Sequence, residues 1–293
     1  MVIAGIDGGG THTRLELRDE ENRLLSRTEF GPFNLNAIGE AAFRRLLRQV
    51  LAACGDMADC ARLCVGGAGI SNPAVGAILG QELERAGFSG MWKLCGDQEI
   101  ALRGAMDGPG IAVIAGTGSI CFGKNQAGQT ARSGGFGHLI DDGGSGYALG
   151  RDVLSTAVQA LDGRCPDTAI LERVYHRLGR EDPGAIVSFV YDETTDKAAI
   201  ARFSSIALAL AEEGNPTAQA ILNRGAGELY ALAAAVQRRL GLEGRPIALL
   251  GGLLSGENPY RRAVARKLAG LGTVIYPAHD ALWGAAQMAW ELC

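Results

Sequence analysis

The sequence lacks the two commonest nucleotide signatures. No GxxxxGK[ST] loop is present, so a P-loop nucleotidase is not indicated. No glycine turn carries the third glycine and following helix of a dinucleotide fingerprint. There is no block of basic charge: 28 Lys and Arg stand against 32 Asp and Glu, a net charge of −4. Such a chain lacks the electrostatic footprint of a dedicated nucleic-acid binder. The longest mostly apolar stretch, near Ile111–Gly123, is about half a membrane span and is interrupted by Gly and Thr. The N-terminus, MVIAGIDGGG, has no basic run and reaches glycines too soon for a secretory signal, so a cytoplasmic protein with no membrane partner is expected. No CxxC pair occurs among the seven cysteines; Cys60 and Cys64 are four apart, with Cys54 nearby. Reduced, partly buried thiols are the expected state, a metal or iron–sulfur site being the alternative. No low-complexity linker interrupts the chain.

At 47% hydrophobic and 20% charged residues, the chain is too apolar for disorder, and its 293 residues suggest two domains with well-buried cores. The compositional surplus is 43 glycines without a triplet period, which excludes collagen and points to many tight turns. VIAGID (Val2–Asp7) reads as a short buried strand ending in glycines. TRLELRD (Thr13–Asp19) alternates as a half-buried strand does, and LLSRTEF (Leu24–Phe30) follows a polar turn. Ala37–Cys54 has helical spacing, with Phe43, Leu46, Leu47, Val50 and Leu51 on one side. Strands at Ala61–Gly67 and Trp92–Asp97 alternate with helices, one of them starting at Asn72-Pro73. The pattern then begins again. IAVIAGTGSICFGK repeats the hairpin logic of IAGIDGGGTHTRLEL, which suggests two related half-domains. Gly143–Leu240 is mainly helical, IALLGG (Ile247–Gly252) is a last buried strand, TVIYP (Thr273–Pro277) an edge strand and Ala281–Leu292 a terminal helix.

Four glycine-rich turns follow four apolar strands: Asp7-Gly8-Gly9-Gly10-Thr11, Gly66-Gly67-Ala68-Gly69, Gly116-Thr117-Gly118-Ser119 and Gly251-Gly252. Bare N–H groups in such turns bind phosphate oxygens, and Thr or Ser adds a hydroxyl. Any one of them is also explained as a plain hairpin. Together, the first and third suggest two hairpins clamping one polyphosphate. Asp7, at the end of its strand, can hold Mg²⁺ through water or merely cap the turn. Asp97 closes a strand-to-helix junction, either as a helix cap or as a general base for a substrate hydroxyl. Ser133–Gly146 places one aromatic, one His and two adjacent acids among six glycines, a composition suited to holding a sugar.

In order, IDGGGT, GPFNLNAIG, GGAGIS, CGD, IAGTGS, GGFGHLIDDGGSGY, AEEGNP, LLGG and HDALWGAA resemble the BadF/BadG/BcrA/BcrD ATPase family, and within it the N-acetylglucosamine and glucosamine kinases. The resemblance spans nearly the whole chain. It implies an α/β protein of two ribonuclease-H-like lobes, the actin-like ATPase fold, with ATP in the cleft between them. The expected lobes are residues 1–113 and 114–293, with the helix near 281–293 packing back on the first. The implied reaction moves phosphate from Mg-ATP to the 6-hydroxyl of an amino sugar. Gly9, Gly10 and Thr11 match the first phosphate turn, with Asp7 positioning Mg²⁺, and Thr117, Gly118 and Ser119 match the second. Asp97 matches the catalytic base. Asn34, Ser71, Gly135, Phe136 and Asp142 match sugar contacts, and Ala211, Gly251 and Gly252 the adenosine pocket. A homodimer is compatible with this reading. The alternatives are an ATPase that drives a partner redox enzyme and a non-catalytic sugar sensor.

Two departures stand in the sugar loop. The N-acetylglucosamine kinases usually show Trp at the position of Phe136, and Gly-Asp-Glu-Gly-Ser where this chain has Asp141-Asp142-Gly143-Gly144-Ser145. The extra carboxylate of Asp141 leads to the expectation of a free-amine substrate, glucosamine over N-acetylglucosamine.

Overall fold

A computed structural model describes residues 1–292. The chain divides into two compact units. The first comprises Met1–Gly108 and the residues from Pro277 onward; the second is Pro109–Tyr276. The division thus falls at Gly108/Pro109, ahead of the expected position after Val113, and the terminal segment belongs to the first unit.

In the first unit, β1 (Val2–Gly8), β2 (Thr13–Arg18) and β3 (Leu24–Phe30) form an antiparallel meander. Helices α1 (Leu35–Ile38) and α2 (Glu40–Ala53) follow, separated by Gly39 at φ 76°. That left-handed residue splits the single helix expected over Ala37–Cys54. The predicted apolar stripe of α2 is the buried one, Phe43, Leu46, Leu47, Val50 and Leu51. Then come β4 (Cys60–Gly67), α3 (Pro73–Arg85), β5 (Met91–Gly96) and α4 (Asp97–Ala105). The sheet order is β3-β2-β1-β4-β5, with β4 parallel to both neighbours.

The second unit repeats this plan: β6 (Gly110–Ala115), β7 (Ser119–Lys124) and β8 (Thr130–Gly134) form its meander. A helical insertion follows: α5 (Gly146–Leu161), α6 (Ala169–Leu178), α7 (Pro183–Val190), α8 (Lys197–Ala201), α9 (Ser204–Glu212) and the long α10 (Pro216–Leu240). β9 (Gly244–Leu250), α11 (Pro259–Leu268) and β10 (Gly272–Ile275) complete the sheet in the order β10-β9-β6-β7-β8. Read from its meander edge, this is the same connectivity as the first sheet, so the repeated hairpin in the sequence marks a repeated fold. Finally α12 (Ala281–Trp290) packs on the first sheet through Ala285 and Ala289, against Ile3, Cys64, Cys95 and Ile100. No helix among the described residues is long and apolar enough to cross a membrane.

Candidate active site

The first sheet lines up three strand ends. Asp7 pairs with Gly66 of β4, which pairs with Cys95 of β5; Gly8, Gly67 and Gly96 form the next row. Neighbouring strands are spaced about 4.8 Å apart, so Asp7 and the head of α4 lie roughly 10 Å apart on the carboxyl edge. That edge is where open α/β sheets bind ligands.

Asp97 is the first residue of α4, with Gly96 rather than itself as N-cap, and its Oδ1 accepts the Gln98 N–H at 2.9 Å. Its side chain reaches solvent but is hemmed in by surrounding protein. Burial raises its pKa above the ordinary Asp value, and the charge of Asp7 adds to the rise. A solvent-reaching carboxylate with a raised pKa is suited to accept a proton.

The first turn is fixed by backbone bonds. Gly9 N–H donates to His12 O at 2.9 Å, Ala68 N–H donates to Gly8 O at 2.8 Å, and Phe33 N–H donates to Gly9 O at 2.9 Å. Phe33, fully buried, wedges beneath the turn. A Cβ at Gly8 would meet its ring at 2.5 Å and one at Gly67 would meet it at 2.7 Å, so packing demands those two glycines. Gly10 differs: nothing lies within 4 Å of a Cβ there, and Thr11 beside it is exposed. The same wedge brings in the expected sugar side. Asn34 follows Phe33 and caps α1, its Oδ1 accepting from Ala37 N–H at 3.2 Å. Asn36 accepts from Asn72 Nδ2 at 2.9 Å, which ties this segment to the exposed Ser71.

Arg14 and Asp280 escaped the sequence reading. Arg14 faces Asp7 across the β1–β2 ladder and donates to its Oδ2 at 2.5 Å, while its other terminal nitrogen reaches Asp280 Oδ2 at 3.3 Å. Hairpin register around the turn could have paired Arg14 with Asp7. Asp280, the N-cap of α12, carried no such signal.

In the second unit, Gly116 N–H closes the turn onto Gly118 O at 2.9 Å. The acidic loop grips it: Ser119 Oγ donates to Gly143 O at 2.8 Å, Gly146 N–H to Gly116 O at 2.7 Å and Tyr147 N–H to Thr117 O at 3.2 Å. Asp142, only 4% exposed and left-handed at φ 62°, turns its Oδ1 toward Ser119 N–H at 3.4 Å. Expected as a sugar ligand, it lies against the Gly116–Ser119 turn. Thr117 is exposed. Phe136 is 63% exposed, with Arg132 4.9 Å from its ring centre and Gly135 left-handed at φ 77° before it. Asp141 Oδ2 accepts Phe136 N–H at 3.1 Å, so this carboxylate shapes the loop. His138 meets Tyr147 edge to face at 4.7 Å.

The expected adenosine residues differ in their surroundings. Ala211 lines a pocket of about 510 Å³ with Gln219, Asn223, Arg262 and Tyr276. Gly251 is left-handed at φ 89°, and a Cβ there would strike the backbone of Ala115, its carbonyl carbon at 2.7 Å, so close strand packing already requires that glycine. Gly252 is open. Leu253, just after the pair, lines a different pocket of about 810 Å³ at the start of α9, with Phe203, Ser204 and Leu208. The six described cysteines are free, and five are buried.

Two units of identical sheet connectivity, each with a glycine hairpin after its first strand, define the actin-like ATPase class. The chain belongs to the BadF/BadG/BcrA/BcrD ATPase family, whose model matches residues 4–289. It is 29% identical to the N-acetylmuramic acid/N-acetylglucosamine kinase of Clostridium acetobutylicum, over 99% of each chain. It is 27% identical to the N-acetyl-D-glucosamine kinase of Dictyostelium discoideum, over 91% of this chain and 90% of that one. A crystal structure from Chromobacterium violaceum, provisionally assigned as an N-acetylglucosamine kinase, superposes with a TM-score of 0.80 at 27% identity, covering 98% of each chain.

Proposed function

We propose that this protein is a sugar kinase that transfers the γ-phosphoryl group of ATP to the 6-hydroxyl of an N-acetylated amino sugar. The observation that carries this reading is Asp97, a carboxylate of raised pKa that follows directly on the strand-end row of Gly8, Gly67 and Gly96 beside the Asp7 turn. In this reading Asp97 accepts the hydroxyl proton as the oxygen attacks, and each glycine turn offers backbone N–H groups to ATP phosphates. Asn34 and Ser71 are the proposed sugar contacts of the first unit and Gly135 and Phe136 those of the second, while Asp142 braces the Gly116–Ser119 turn. Ala211 and Gly252 flank the nucleoside.

The donor set suits Mg²⁺. No group of three potential protein ligands is poised for a metal among the described residues. Mg²⁺ needs none, since it is commonly held through one carboxylate, water and substrate phosphates. Asp7 would hold it through water, with Arg14 fixing the carboxylate. Bound there, the ion supplies charge neutralisation for the transferring phosphate.

The relatives named above act on N-acetylated sugars, and Asp141 is engaged with Phe136 N–H. Both weigh against the free-amine preference expected from the sequence. The test is a coupled ADP-release screen over N-acetylglucosamine, N-acetylmuramate, N-acetylmannosamine, glucosamine and glucose. A kcat/KM highest for an N-acetylated sugar is expected, and Asp141→Asn should leave its ratio to glucosamine within about threefold. A larger fall in glucosamine turnover would return Asp141 to an amine-binding role, because a carboxylate–ammonium contact near a protein surface is worth about 4 kcal/mol at most. Absence of sugar-dependent ADP release would overturn the kinase reading.

Gly10→Ala tests the first turn. The new methyl group meets no protein atom, so stability should hold. Where a phosphate must approach the backbone, that methyl group obstructs it, and the KM for ATP should rise by about three- to thirtyfold with the sugar KM little changed. Unchanged ATP kinetics would make the turn purely structural.

A further inference from the structure

The acidic loop has a second anchor, outside both glycine turns. Three successive carbonyls of the loop are each held by a different partner. Asp142 O accepts from Ser145 N–H at 3.1 Å, Gly143 O from Ser119 Oγ at 2.8 Å and Gly144 O from the Tyr260 hydroxyl at 2.6 Å. Tyr260 is fully buried, and it stands in the first turn of α11, far from the loop in sequence. Its neighbours Pro259, Arg262 and Ala263 line the Ala211 pocket. The loop itself follows an unfavourable path, with Asp142 at φ 62° and Gly144 at φ 78°. A non-glycine residue in that region persists only where its surroundings over-determine it. Gly144 also packs so tightly that a Cβ would lie 2.6 Å from Gly225 O, which leaves the peptide little room to rotate.

We propose that Tyr260 is a positioning residue for phosphoryl transfer: its hydroxyl locks Gly144, and so holds Asp142 and the Gly116–Ser119 turn in register with the pocket wall on α11. The proposal rests on the kinase reading for its substrates. Without the hydroxyl, Gly144 O loses its partner in a buried site, and the left-handed Asp142 loses one of the constraints that maintain it. Ser119 Oγ and Gly146 N–H still tether the loop, so the fold survives while its geometry loosens.

The test uses the full chain with Tyr260→Phe, which removes one oxygen and keeps the ring. With ATP and the best sugar from the screen, kcat should fall by roughly ten- to a hundredfold, the scale of an ångström-level misplacement in an active site. Melting should fall by only about 2–8 °C. The tightening of sugar binding by a non-hydrolysable ATP analogue, where wild type shows it, should weaken at least threefold. A variant with lowered Tm but kcat and both KM values within twofold of wild type would make Tyr260 a core residue only and overturn the proposal. Should Tyr260→Phe fail to fold, hydrogen exchange on the wild type decides. Slow exchange at Ser145 N–H, whose bond to Asp142 O closes the locked loop, supports the lock; exchange at the rate of an exposed loop overturns it. If the wild type phosphorylates no sugar, the kinase reading has failed, and the same exchange measurement still judges the lock.

Discussion

Asp97→Asn is expected to lower kcat by about 10²–10⁴-fold, the usual worth of a general base, while the KM for ATP changes little. The carboxylate is the strand-end group whose raised pKa suits proton acceptance, and the amide is nearly its shape but cannot take a proton. The pH dependence has a defined sign. Burial and the neighbouring charge of Asp7 raise the pKa of Asp97. The acid limb of kcat/KM should therefore lie above the ordinary carboxylate range, with activity lost as pH falls through the raised value. Stability runs the other way. A carboxylate whose folded pKa is raised above its unfolded value penalises folding once pH exceeds that value. Asp97→Asn should thus melt at the same temperature as wild type or higher at neutral pH. A variant retaining more than a tenth of wild-type kcat, or one that melts well below wild type, would remove Asp97 from this role.

Gly284→Ala should be the most damaging of the small substitutions. Helices α4 and α12 meet through glycines: a Cβ at Gly284 would land on Ile100 O and lie 2.6 Å from Gly104 N, and one at Gly104 would land on Asp280 O. His279 N–H donates to Gly104 O at 2.9 Å, fixing the start of α12 against α4. Backbone cannot yield as a flexible side chain does, so the helices must separate. A loss of about 3 kcal/mol or more, or roughly 6–12 °C in Tm, is expected. Because α4 begins at Asp97 and Asp280 contacts Arg14, kcat should fall as well. Thermal melting of the purified variant checks this, and a Tm within 2 °C of wild type would mean the crossing has slack.

The local pattern alone determined the hairpins, the α2 stripe, the glycine turns and the repetition of one half in the other. These follow from period-2 and 3.6-residue spacing and from glycine chemistry, which act over a few residues. The motif order carried the family. Tertiary structure decided which glycines are free: Gly8 and Gly251 are glycine because Phe33 and Ala115 press on them, whereas Gly10 is open. It also decided that Asp141 shapes its own loop and that Asp142 turns toward Ser119, since adjacent side chains in an irregular loop have no period to orient them. The Arg14–Asp280 contact and the Tyr260–Gly144 bond join residues 266 and 116 positions apart. Contacts at such separation leave no trace in local spacing, because only the packing of α12 on the first sheet and α11 beside the acidic loop creates them.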